Sequence, residues 1–540
     1  MDWTPADLHF EMEDMVEDEA ESKRSFEMQD PDPLPTKLES AFESGSLVKS
    51  YEPVAGYDYH FRWTRDAERR VVKKIDRRIC LLLGLMFFVL QVDRASITQS
   101  PSKDMLEDQG LSRDDWKTGQ TVYFASIVAA TLPSQLIGKW IGCEKWISLQ
   151  MISWSIVASM QLGVTGPRSF WVNRALIGIF ESGFVPSSIL YVSYFYTSTE
   201  LTKRLAWFWV GFPMARVACT LLASGMMQLS GLSEFPNPQG WLPGAVSAII
   251  FPLGCIAWLC LPPSPTQTPS KSHGRRSWVS ATEQKIMVNR VLRDDRGKGE
   301  MSNREPITLR SLYTCLMDYR MWPIYLIGLS WQLPMLPSVQ YLTNILRTLA
   351  MSDFERRLRH LPADLIWTFN LLLFTYFSEL VNERLLVSSL SQVWCLPMLI
   401  SMYVLPFDRE NINTWALAFL TCAQPFVHAM LLGLASRNSG SVANRAVSVA
   451  VYNMCVAACN IIALNIYKRE DAPFYFAGNK ILIVVAGCNI VLFLIAKRFY
   501  VSLNQRREVR WETMSRQDRQ VYLATTKDRG NKRLDFRFAH

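Results

Sequence analysis

Long apolar segments constrain this chain more than any other feature of its sequence. Twelve of them approach the roughly 20 residues that an α-helix needs to cross the hydrocarbon core of a bilayer. They lie at about 79–100, 119–140, 146–165, 171–192, 205–229, 242–262, 322–344, 361–380, 385–405, 414–435, 446–467 and 481–499. Because lipid offers no water to unpaired backbone groups, segments of this kind span a membrane as helices. The sequence therefore predicts a polytopic, all-α membrane protein with twelve transmembrane helices.

The charged residues are separated from these segments and indicate a topology. The formal net charge of +8 comes from Lys and Arg that gather beside alternate ends of the segments. That placement is typical of membrane proteins, so we expect no nucleic-acid partner. Because Lys and Arg mark cytoplasmic loops, we expect both termini and loop 263–321 in the cytoplasm. The arginines of loop 345–360, on the expected outer side, do not fit this rule.

The pattern divides the chain into five regions. They are a disordered acidic cytoplasmic N-tail (1–65), an N-terminal six-helix bundle (66–262), a cytoplasmic linker loop (263–321), a C-terminal six-helix bundle (322–499) and a cytoplasmic C-tail (500–540). Outside the spans, residues 66–78 have helical spacing and are expected at the membrane surface, and residues 281–295 predict a short amphipathic helix. Two groups of six spans around a long loop are the organisation of a secondary transporter. Some channels and membrane enzymes have as many spans.

The sequence contains no pattern typical of an enzyme or a metal site. The eleven cysteines lack the spacing of metal ligands and lie mostly within apolar segments, which favours small buried residues. His428 alone among the histidines lies within a predicted span, and packing or hydrogen bonding explains it more simply than a proton relay. We therefore expect no enzymatic activity, no metal and no cofactor.

Two adjacent charges interrupt the first predicted span. The apolar run from Ile79 to Val92 would reach only about 21 Å as a helix, short of a core of roughly 30 Å. It cannot begin earlier, because the charged residues KKIDRR precede it. We therefore expect the helix to continue through Asp93 and Arg94 rather than stop at Val92. Charges at this depth are unfavourable, so they normally face an aqueous cavity and have partners on other helices.

The fourth predicted span offers such partners. Arg174 and Glu181 are seven residues apart, which places them on one helix face about 10 Å from each other. Gly178 lies between them on that face and is expected to leave a notch. An anchor at the interface is an alternative for Arg174, whereas Glu181 lies too deep in the span for one. Two acids and two arginines sum to zero charge, so protonation of one acid would leave an arginine ready for a carboxylate.

Several segments together resemble one family of transporters. They are KKIDRRI followed by Asp93 and Arg94, RALIGIFESGFVPS, YFYTSTELTKRLAWF, YLTNILR, FSELVNERLL, SRNSGSVANRA, NIYKREDAPFYFAGNK and TTKDRGNKRLDFRF. The first three resemble the anion:cation symporter branch of the major facilitator superfamily. The other five are, more narrowly, similar to the allantoate, pantothenate and vitamin permeases of fungi, and the similarity covers about residue 66 to the end of the sequence.

The resemblance implies a major facilitator fold of two six-helix bundles that works by alternating access. It implies that Asp93 and Glu181 carry protons and that Arg94 and Arg174 hold a substrate carboxylate. It also implies further substrate-binding residues, for which polar packing is an equal alternative, and a cytoplasmic gate. The substrate-binding residues are Gln332, Tyr341 and Asn453, and the gate residues are Gly142, Glu144 and Lys145 after the second helix and Glu379 and Arg384 after the eighth.

These features predict an importer of a small organic anion, a carboxylate of the vitamin or allantoate kind, that moves with protons. We expect a monomer whose partners are that anion, protons and the lipid bilayer. The plasma membrane is the expected location, rather than a vacuolar or other internal membrane. There are two alternatives: an uncoupled uniporter, which would not require Glu181, and a non-transporting nutrient receptor, which would signal through its tails.

Overall fold

A computed structural model defines the position of most of the chain after residue 57. It describes residues 58, 60–98, 110–230, 238–266, 278–295, 298, 309–337, 361–404, 416–417, 419–421, 423–471, 475–526, 528 and 530–540. All of them fall within one unit of the chain, Ala55–His540. The predicted N-tail up to residue 57, the predicted binding residue Tyr341 and loop 345–360 lie outside the described residues.

Every regular element of the described residues is a helix. The α-helices are α1 (Arg65–Ile75), α2 (Leu81–Thr98), α3 (Arg113–Ile141), α4 (Cys143–Ser159), α5 (Pro167–Glu181), α6 (Phe184–Phe195), α7 (Ser198–Ser230), α8 (Pro238–Cys260), α9 (Ala281–Asp294), α10 (Leu309–Leu316), α11 (Trp322–Ser330), α12 (Leu361–Val381), α13 (Leu385–Val404), α14 (His428–Asn438), α15 (Val442–Ala463), α16 (Phe476–Thr513) and α17 (Arg516–Thr525). A π-helical turn, Asp76–Cys80, joins α1 directly to α2. The segment expected on the membrane surface is therefore continuous with the first span.

Seven stretches of the described chain are long and apolar enough to cross a membrane. They are Arg65–Ser96, Arg113–Ile141, Pro167–Phe195, Ser198–Leu222, Leu385–Val404, Val442–Ala463 and Phe476–Thr513. They coincide with the first, second, fourth, fifth, ninth, eleventh and twelfth predicted spans. Helices α4, α8, α11, α12 and α14 occupy parts of the other five, and the total of twelve spans stays a prediction.

The fourth predicted span is broken rather than continuous. Its first part, α5, ends at Glu181, and two residues separate it from the start of α6 at Phe184. Pro186 explains the break, because it cannot donate a hydrogen bond to the carbonyl of Ser182 and its ring crowds that carbonyl. A side chain of α3 compensates, since Thr131 Oγ1 donates to the carbonyl oxygen of Ser182 over 3.4 Å. Glu181 therefore lies at an irregular point of the backbone inside the helix bundle.

Prolines also end two helices of the second half earlier than the apolar pattern predicts. α11 ends at Ser330. In a continuing α-helix the carbonyl of Ser330 would accept from the N–H of residue 334, but Pro334 has no N–H. The Ser330 oxygen instead accepts from the N–H of Leu333 over 3.1 Å and from Nδ2 of Asn489 in α16 over 2.9 Å. The tenth predicted span breaks around Pro425, before α14 begins. Broken helices buried in protein are tolerated where side chains satisfy the freed carbonyls.

Helices from the two halves of the chain pack directly on one another. α15 lies against α3 and α6, and α7 lies against α12 and α14. At the contact of α15 with α3, Ala457 joins an apolar cluster with Tyr123, Ile127, Val157 and Ile177. The first half therefore contacts the second through α3 and α7. Within the first half, α3 also packs against α5 and α7 against α2.

One face of the molecule carries α9, the junction of α6 with α7 and the junction of α14 with α15; we call it the linker face. The predicted helix at 281–295 is confirmed as α9, which begins with a capping box. Arg290 of α9 is 1% exposed and pairs with Glu200 of α7 and Glu68 of α1. This helix thus fastens the linker to the first half of the chain.

Residues 530–540 fold back onto the linker face. Asn438, at the end of α14, donates to the carbonyl of Ala539 over 3.0 Å and accepts from its N–H over 2.9 Å. Asn504 of α16 makes the same two-way contact with Phe538, over 2.8 Å in each direction. Asparagine side chains therefore pair with this segment as a neighbouring β-strand would. The region that the sequence treats as a polar tail is ordered against the helices.

Candidate functional site

Glu181 is the centre of a buried charge cluster. Its side chain is 1% exposed, and its Oε2 accepts a hydrogen bond from Arg94 Nε in α2 over 2.9 Å. The same oxygen accepts a second bond from Tyr123 Oη in α3 over 2.6 Å. The other carboxylate oxygen, Oε1, is buried without a hydrogen-bond partner among the described residues. Three helices thus meet at one carboxylate, and only one of its two oxygens is hydrogen-bonded among the described residues.

Asp93 and Arg174 are buried beside this pair. Asp93 is 0% exposed and Arg174 is 3% exposed. Within the part of the chain that the structure describes, both carboxylate oxygens of Asp93 and two guanidinium nitrogens of Arg174 lack a hydrogen-bond partner. Asp93 interacts electrostatically with the other three charges of the cluster. The structure therefore brings together the four charges that the sequence singles out, from two different helices.

The polar atoms of Asp93 and Arg174 that lack a partner among the described residues are an unfavourable feature of the cluster. Charged groups buried without hydrogen bonds are unfavourable by several kcal/mol each, even when opposite charges are near. A hydrogen bond to a charged group contributes about 1.5–3 kcal/mol, so a carboxylate on Arg174 and a proton on Asp93 would both relieve this penalty. The four formal charges sum to zero, and proton binding to either acid would leave the site cationic and attractive to an anion.

Gly178 allows α5 to approach α3 closely. A Cβ atom at this position would lie 2.6 Å from the carbonyl oxygen of Tyr123 and 3.0 Å from Cβ of Ser126. The notch expected between Arg174 and Glu181 is therefore filled by the backbone of α3 and is not open to a ligand. The absence of a side chain at Gly178 lets the two helices come close together, and this brings the Tyr123 hydroxyl to the Glu181 carboxylate.

The structure does not assign a binding role to the other predicted substrate-binding residues. Gln332 is buried in the turn that follows α11, with 7% of its surface exposed. Asn453 of α15 donates its amide to the carbonyl oxygen of Val449, one turn earlier, over 2.8 Å, which is the packing alternative. Tyr341 lies outside the described residues. Their roles in binding stay predictions.

The first copy of the predicted gate lies at the junction of α3 with α4. Gly142 adopts a φ of 107° there, a backbone conformation that favours glycine. Glu144 is buried, with 5% of its surface exposed, and Lys145 is exposed. The acid of this motif therefore faces the protein, while its base faces away from it.

The second copy forms a closed ion pair. Arg384 donates to both carboxylate oxygens of Glu379, over 3.2 and 3.0 Å. The two side chains are 3% and 5% exposed. The backbone N–H of Arg384 also donates to the carbonyl oxygen of His540 over 2.9 Å. The folded-back segment 530–540 thus ends against this motif.

A group of contacts on the linker face joins the two halves of the chain; we call it the linker latch. Arg445 of α15 donates to Asp295, just after α9, over 2.7 Å and to Ser193 of α6 over 3.5 Å. Lys298 Nζ donates to the carbonyl oxygen of Tyr196, between α6 and α7, over 2.8 Å. These contacts hold the linker between α6 and α15 and join the two halves of the chain on the linker face.

Two charged residues inside predicted spans escaped the sequence analysis. Arg216 of α7 pairs with Asp364 of α12, with Nη2 and Oδ1 3.2 Å apart, and its guanidinium lies 5.7 Å from the centre of the Trp367 ring. Both lie within apolar segments, which is the signal that pointed to Asp93 and Arg94. Tyr123 also escaped, since a single tyrosine in an apolar segment carries no comparable signal.

Comparison with known proteins identifies the family. The sequence model of the Major Facilitator Superfamily matches residues 80–464. The chain belongs to the Major Facilitator Superfamily. The uncharacterized transporter YIL166C of Saccharomyces cerevisiae is 35% identical over 91% of this chain and 90% of its own length. A putative tartrate transporter of Agrobacterium vitis is 31% identical, but over only 44% of this chain and 53% of its own length.

A solved structure supports the same assignment of the fold. The proton:xylose symporter XylE superposes with a TM-score of 0.57 at 13% sequence identity, covering 79% of this chain and 96% of that chain. The predicted fold class, an all-α membrane protein with the major facilitator fold, is therefore confirmed. As a member of this superfamily the protein is a multi-pass membrane transporter of a small molecule, and not an enzyme.

Proposed function

We propose that this transporter imports a small organic anion together with protons by alternating access. Arg94 and Arg174 would bind the substrate carboxylate, and Asp93 and Glu181 would take up and release the protons. The observation that supports this most directly is that Asp93 and Arg174 are buried and interact electrostatically, while both carboxylate oxygens of the first and two guanidinium nitrogens of the second lack a hydrogen-bond partner among the described residues. Intramembrane charges of this kind typically mark substrate and proton pathways.

The bonds at Glu181 suggest how the proton and the anion would be coupled. While Glu181 is ionised it holds Arg94 at 2.9 Å, and the arginine is not free to bind a second carboxylate in full. Protonation of Glu181 would remove the charge that holds Arg94. An incoming carboxylate would then replace the internal counter-ion, since arginine binds carboxylates in a two-point geometry. Release of the proton on the other side would expel the substrate.

Names of relatives and sequence motifs support an organic acid as the substrate. The Agrobacterium vitis relative is named a putative tartrate transporter. The motifs at 174–187 and 194–208 resemble the anion:cation symporter branch of the superfamily, and those at 341–347, 377–386, 436–446, 465–480 and 525–538 resemble the allantoate, pantothenate and vitamin permeases of fungi. We therefore place this protein with the organic-anion symporters of the superfamily, as a monomer in the plasma membrane.

The linker latch supports alternating access as the mechanism. It joins Arg445 of the second half to Asp295 and Ser193 on one face. Opening on that face requires these contacts to break, whereas the Arg94–Glu181 pair lies within the first half and can persist. By the charge distribution of the loops this face is cytoplasmic, so the described conformation would be the one that is closed to the cytoplasm.

The number of protons decides what drives accumulation. One proton moving with a monoanion is electroneutral, and the pH gradient alone supplies about 1.4 kcal/mol per pH unit. A second proton would add one net charge, on which the membrane potential acts with about 2.3 kcal/mol per 100 mV. The two buried acids, Asp93 and Glu181, allow either stoichiometry.

The proposal is tested by uptake of a panel of labelled organic acids in cells that express the protein, at external pH 5 and pH 7. We expect at least one carboxylate to accumulate above its external concentration at the lower pH and to lose that accumulation when a protonophore is added. An uncoupled uniporter would equilibrate the same acid without accumulating it. A nutrient receptor would transport none of them.

A further inference from the structure

A second arginine–carboxylate pair lies between the two halves of the chain. Arg216 of α7 and Asp364 of α12 are 3.2 Å apart. Trp367, one turn after Asp364, places its ring against the same guanidinium at 5.7 Å. This ring is 1% exposed and is in contact with the rings of Phe212 and Phe426. Arg216 therefore points into the interior between the halves and not towards lipid.

Helix geometry places Arg216 at the level of Arg94. α2 and α7 lie side by side and run in the same direction, since Asp76 before α2 is bonded to Arg204 near the start of α7. The rings of Phe87 in α2 and Trp209 in α7 are 4.8 Å apart.

Arg94 and Arg216 each follow one of these two aromatic residues by seven positions. Seven residues advance a helix by about 10.5 Å and bring it back to within about 20° of the same face. α7 remains helical through Pro213 over this distance. The two arginines thus project from neighbouring helices at the same depth, and the axes of packed helices are about 8–10 Å apart.

The two pairs are built alike. The side chains of Arg94 and Arg216 are 26% and 25% exposed, whereas those of their acids, Glu181 and Asp364, are 1% and 6% exposed. In each pair a buried carboxylate holds an arginine whose side chain is partly exposed. An arginine that is not fully enclosed by protein is better placed to take a second anion than one that is.

We propose that Arg216 is a second anion-binding point and that the substrate is a dicarboxylate, with one carboxylate on the Arg94 and Arg174 side and the other on Arg216. This rests on the proposed function, because it assumes that the first carboxylate binds there. Two carboxylates joined by a short carbon chain could contact two guanidinium groups on adjacent helices, whose axes are about 8–10 Å apart. Since Arg216 is bound to α12 of the second half, such a substrate would also bridge the halves.

The inference is tested by binding to the purified transporter, measured as thermal stabilisation. The probes are matched pairs of acids that differ by one carboxylate, tartrate with glycerate and succinate with butyrate. We expect the dicarboxylate of at least one pair to bind about tenfold or more tightly than its partner, because a bidentate charged contact is added. Arg216→Gln should reduce that ratio to about one and leave binding of the monocarboxylate unchanged.

Two further variants separate binding from folding. Asp364→Asn keeps the shape of the pair and removes the charge that holds Arg216, so the preference for the dicarboxylate should be kept or increased. Arg204→Gln breaks a comparable pair with Asp76 near the linker face and should leave the ratio as in the wild type. A wild-type ratio near one, or a ratio that survives Arg216→Gln, would overturn the inference and leave the proposed function standing. Binding of none of the four acids would count against the proposed function itself.

Discussion

Arg94 donates a hydrogen bond to Glu181 over 2.9 Å, across a sequence separation of 87 residues. The arginine belongs to α2 and the acid to the end of α5, so one contact fixes the relative position of two helices. Asp93 and Arg174 are left beside it, both buried, with polar atoms that have no partner among the described residues. The cluster therefore contains one hydrogen-bonded pair, Arg94 with Glu181, and two further charges whose polar atoms would gain hydrogen bonds from the proposed substrate and proton.

Arg94→Ala is expected to weaken binding of the transported acid by about tenfold to a hundredfold, since a hydrogen bond to a charged group contributes about 1.5–3 kcal/mol. Tyr123→Phe removes the other bond to Glu181 and keeps the arginine. Its effect on affinity should be below about tenfold, because its hydroxyl does not carry the charge. Affinity is measured by saturation of uptake in cells with matched surface expression. Equal affinity in Arg94→Ala and the wild type would remove Arg94 from the site.

Gly178→Ala is expected to lower the stability of the protein by about 1–3 kcal/mol, the usual effect of overpacking. The added methyl group would lie 2.6 Å from the carbonyl oxygen of Tyr123, and α5 would have to move away from α3. Gly84→Ala is the matched control, because a Cβ atom there would meet nothing within 4 Å. The melting temperatures of the two purified variants provide the comparison. A Gly178→Ala variant as stable as Gly84→Ala would show that the helices are not in close contact.

The linker latch should be sensitive to pH through Lys298. Burial lowers the pKa of this amine from 10.5 to about 8, and the charge of Arg445 acts in the same direction. An exposed lysine in an open state would keep its ordinary pKa. The closed state therefore binds the proton more weakly, so its stability relative to the open state rises as the pH passes 8 and levels off above 10.5.

Spin labels at Thr199 and Ala443, on the two sides of the latch, would follow this equilibrium in detergent solution. We expect the short-distance population to grow between pH 7 and pH 9 in the wild type and in Lys285→Met, which alters an exposed lysine of α9. The growth should be absent in Lys298→Met. The same pH response in all three proteins would rule out Lys298 as its origin.

The four residues of the charge cluster could be predicted from the sequence. An unbroken apolar run too short to span a bilayer placed Asp93 and Arg94 inside it, and the spacing of seven placed Arg174 and Glu181 on one face. The same reasoning applied to Arg216 would have found the second pair. The helix breaks could also have been predicted from the prolines, because Pro186 and Pro334 each remove the hydrogen-bond donor of the carbonyl four residues earlier.

Other features depend on tertiary contacts that have no local signal. The sequence predicts an open notch at Gly178, and only the position of α3 in the structure shows that its backbone fills this notch. The folded-back segment 530–540 is polar and would be solvated by composition alone. Its order comes from Asn438 and Asn504, two amides on different helices that meet the backbone of that segment.

Asn438→Ala should release residues 530–540 from the linker face. The variant loses two buried hydrogen bonds to Ala539, each contributing about 0.5–1.5 kcal/mol. We expect faster proteolytic cleavage within this segment, followed by loss of an epitope tag placed after it. Asn465→Ala is the control, because Asn465 lies just after α15 and its exposed amide donates to the carbonyl oxygen of Ile461 near the end of that helix. Equal cleavage rates in both variants would contradict the docked arrangement.

The central claim is that protonation of Glu181 couples the proton gradient to the movement of an organic anion. Gln at this position can still accept the bonds from Arg94 and Tyr123 but cannot take up a proton. The most direct measurement is therefore transport by purified Glu181→Gln in liposomes, both as accumulation driven by a pH gradient and as exchange of labelled for unlabelled substrate. The account predicts that accumulation is abolished while exchange continues. Accumulation that persists in this variant, or the loss of both activities in a correctly inserted protein, would contradict it.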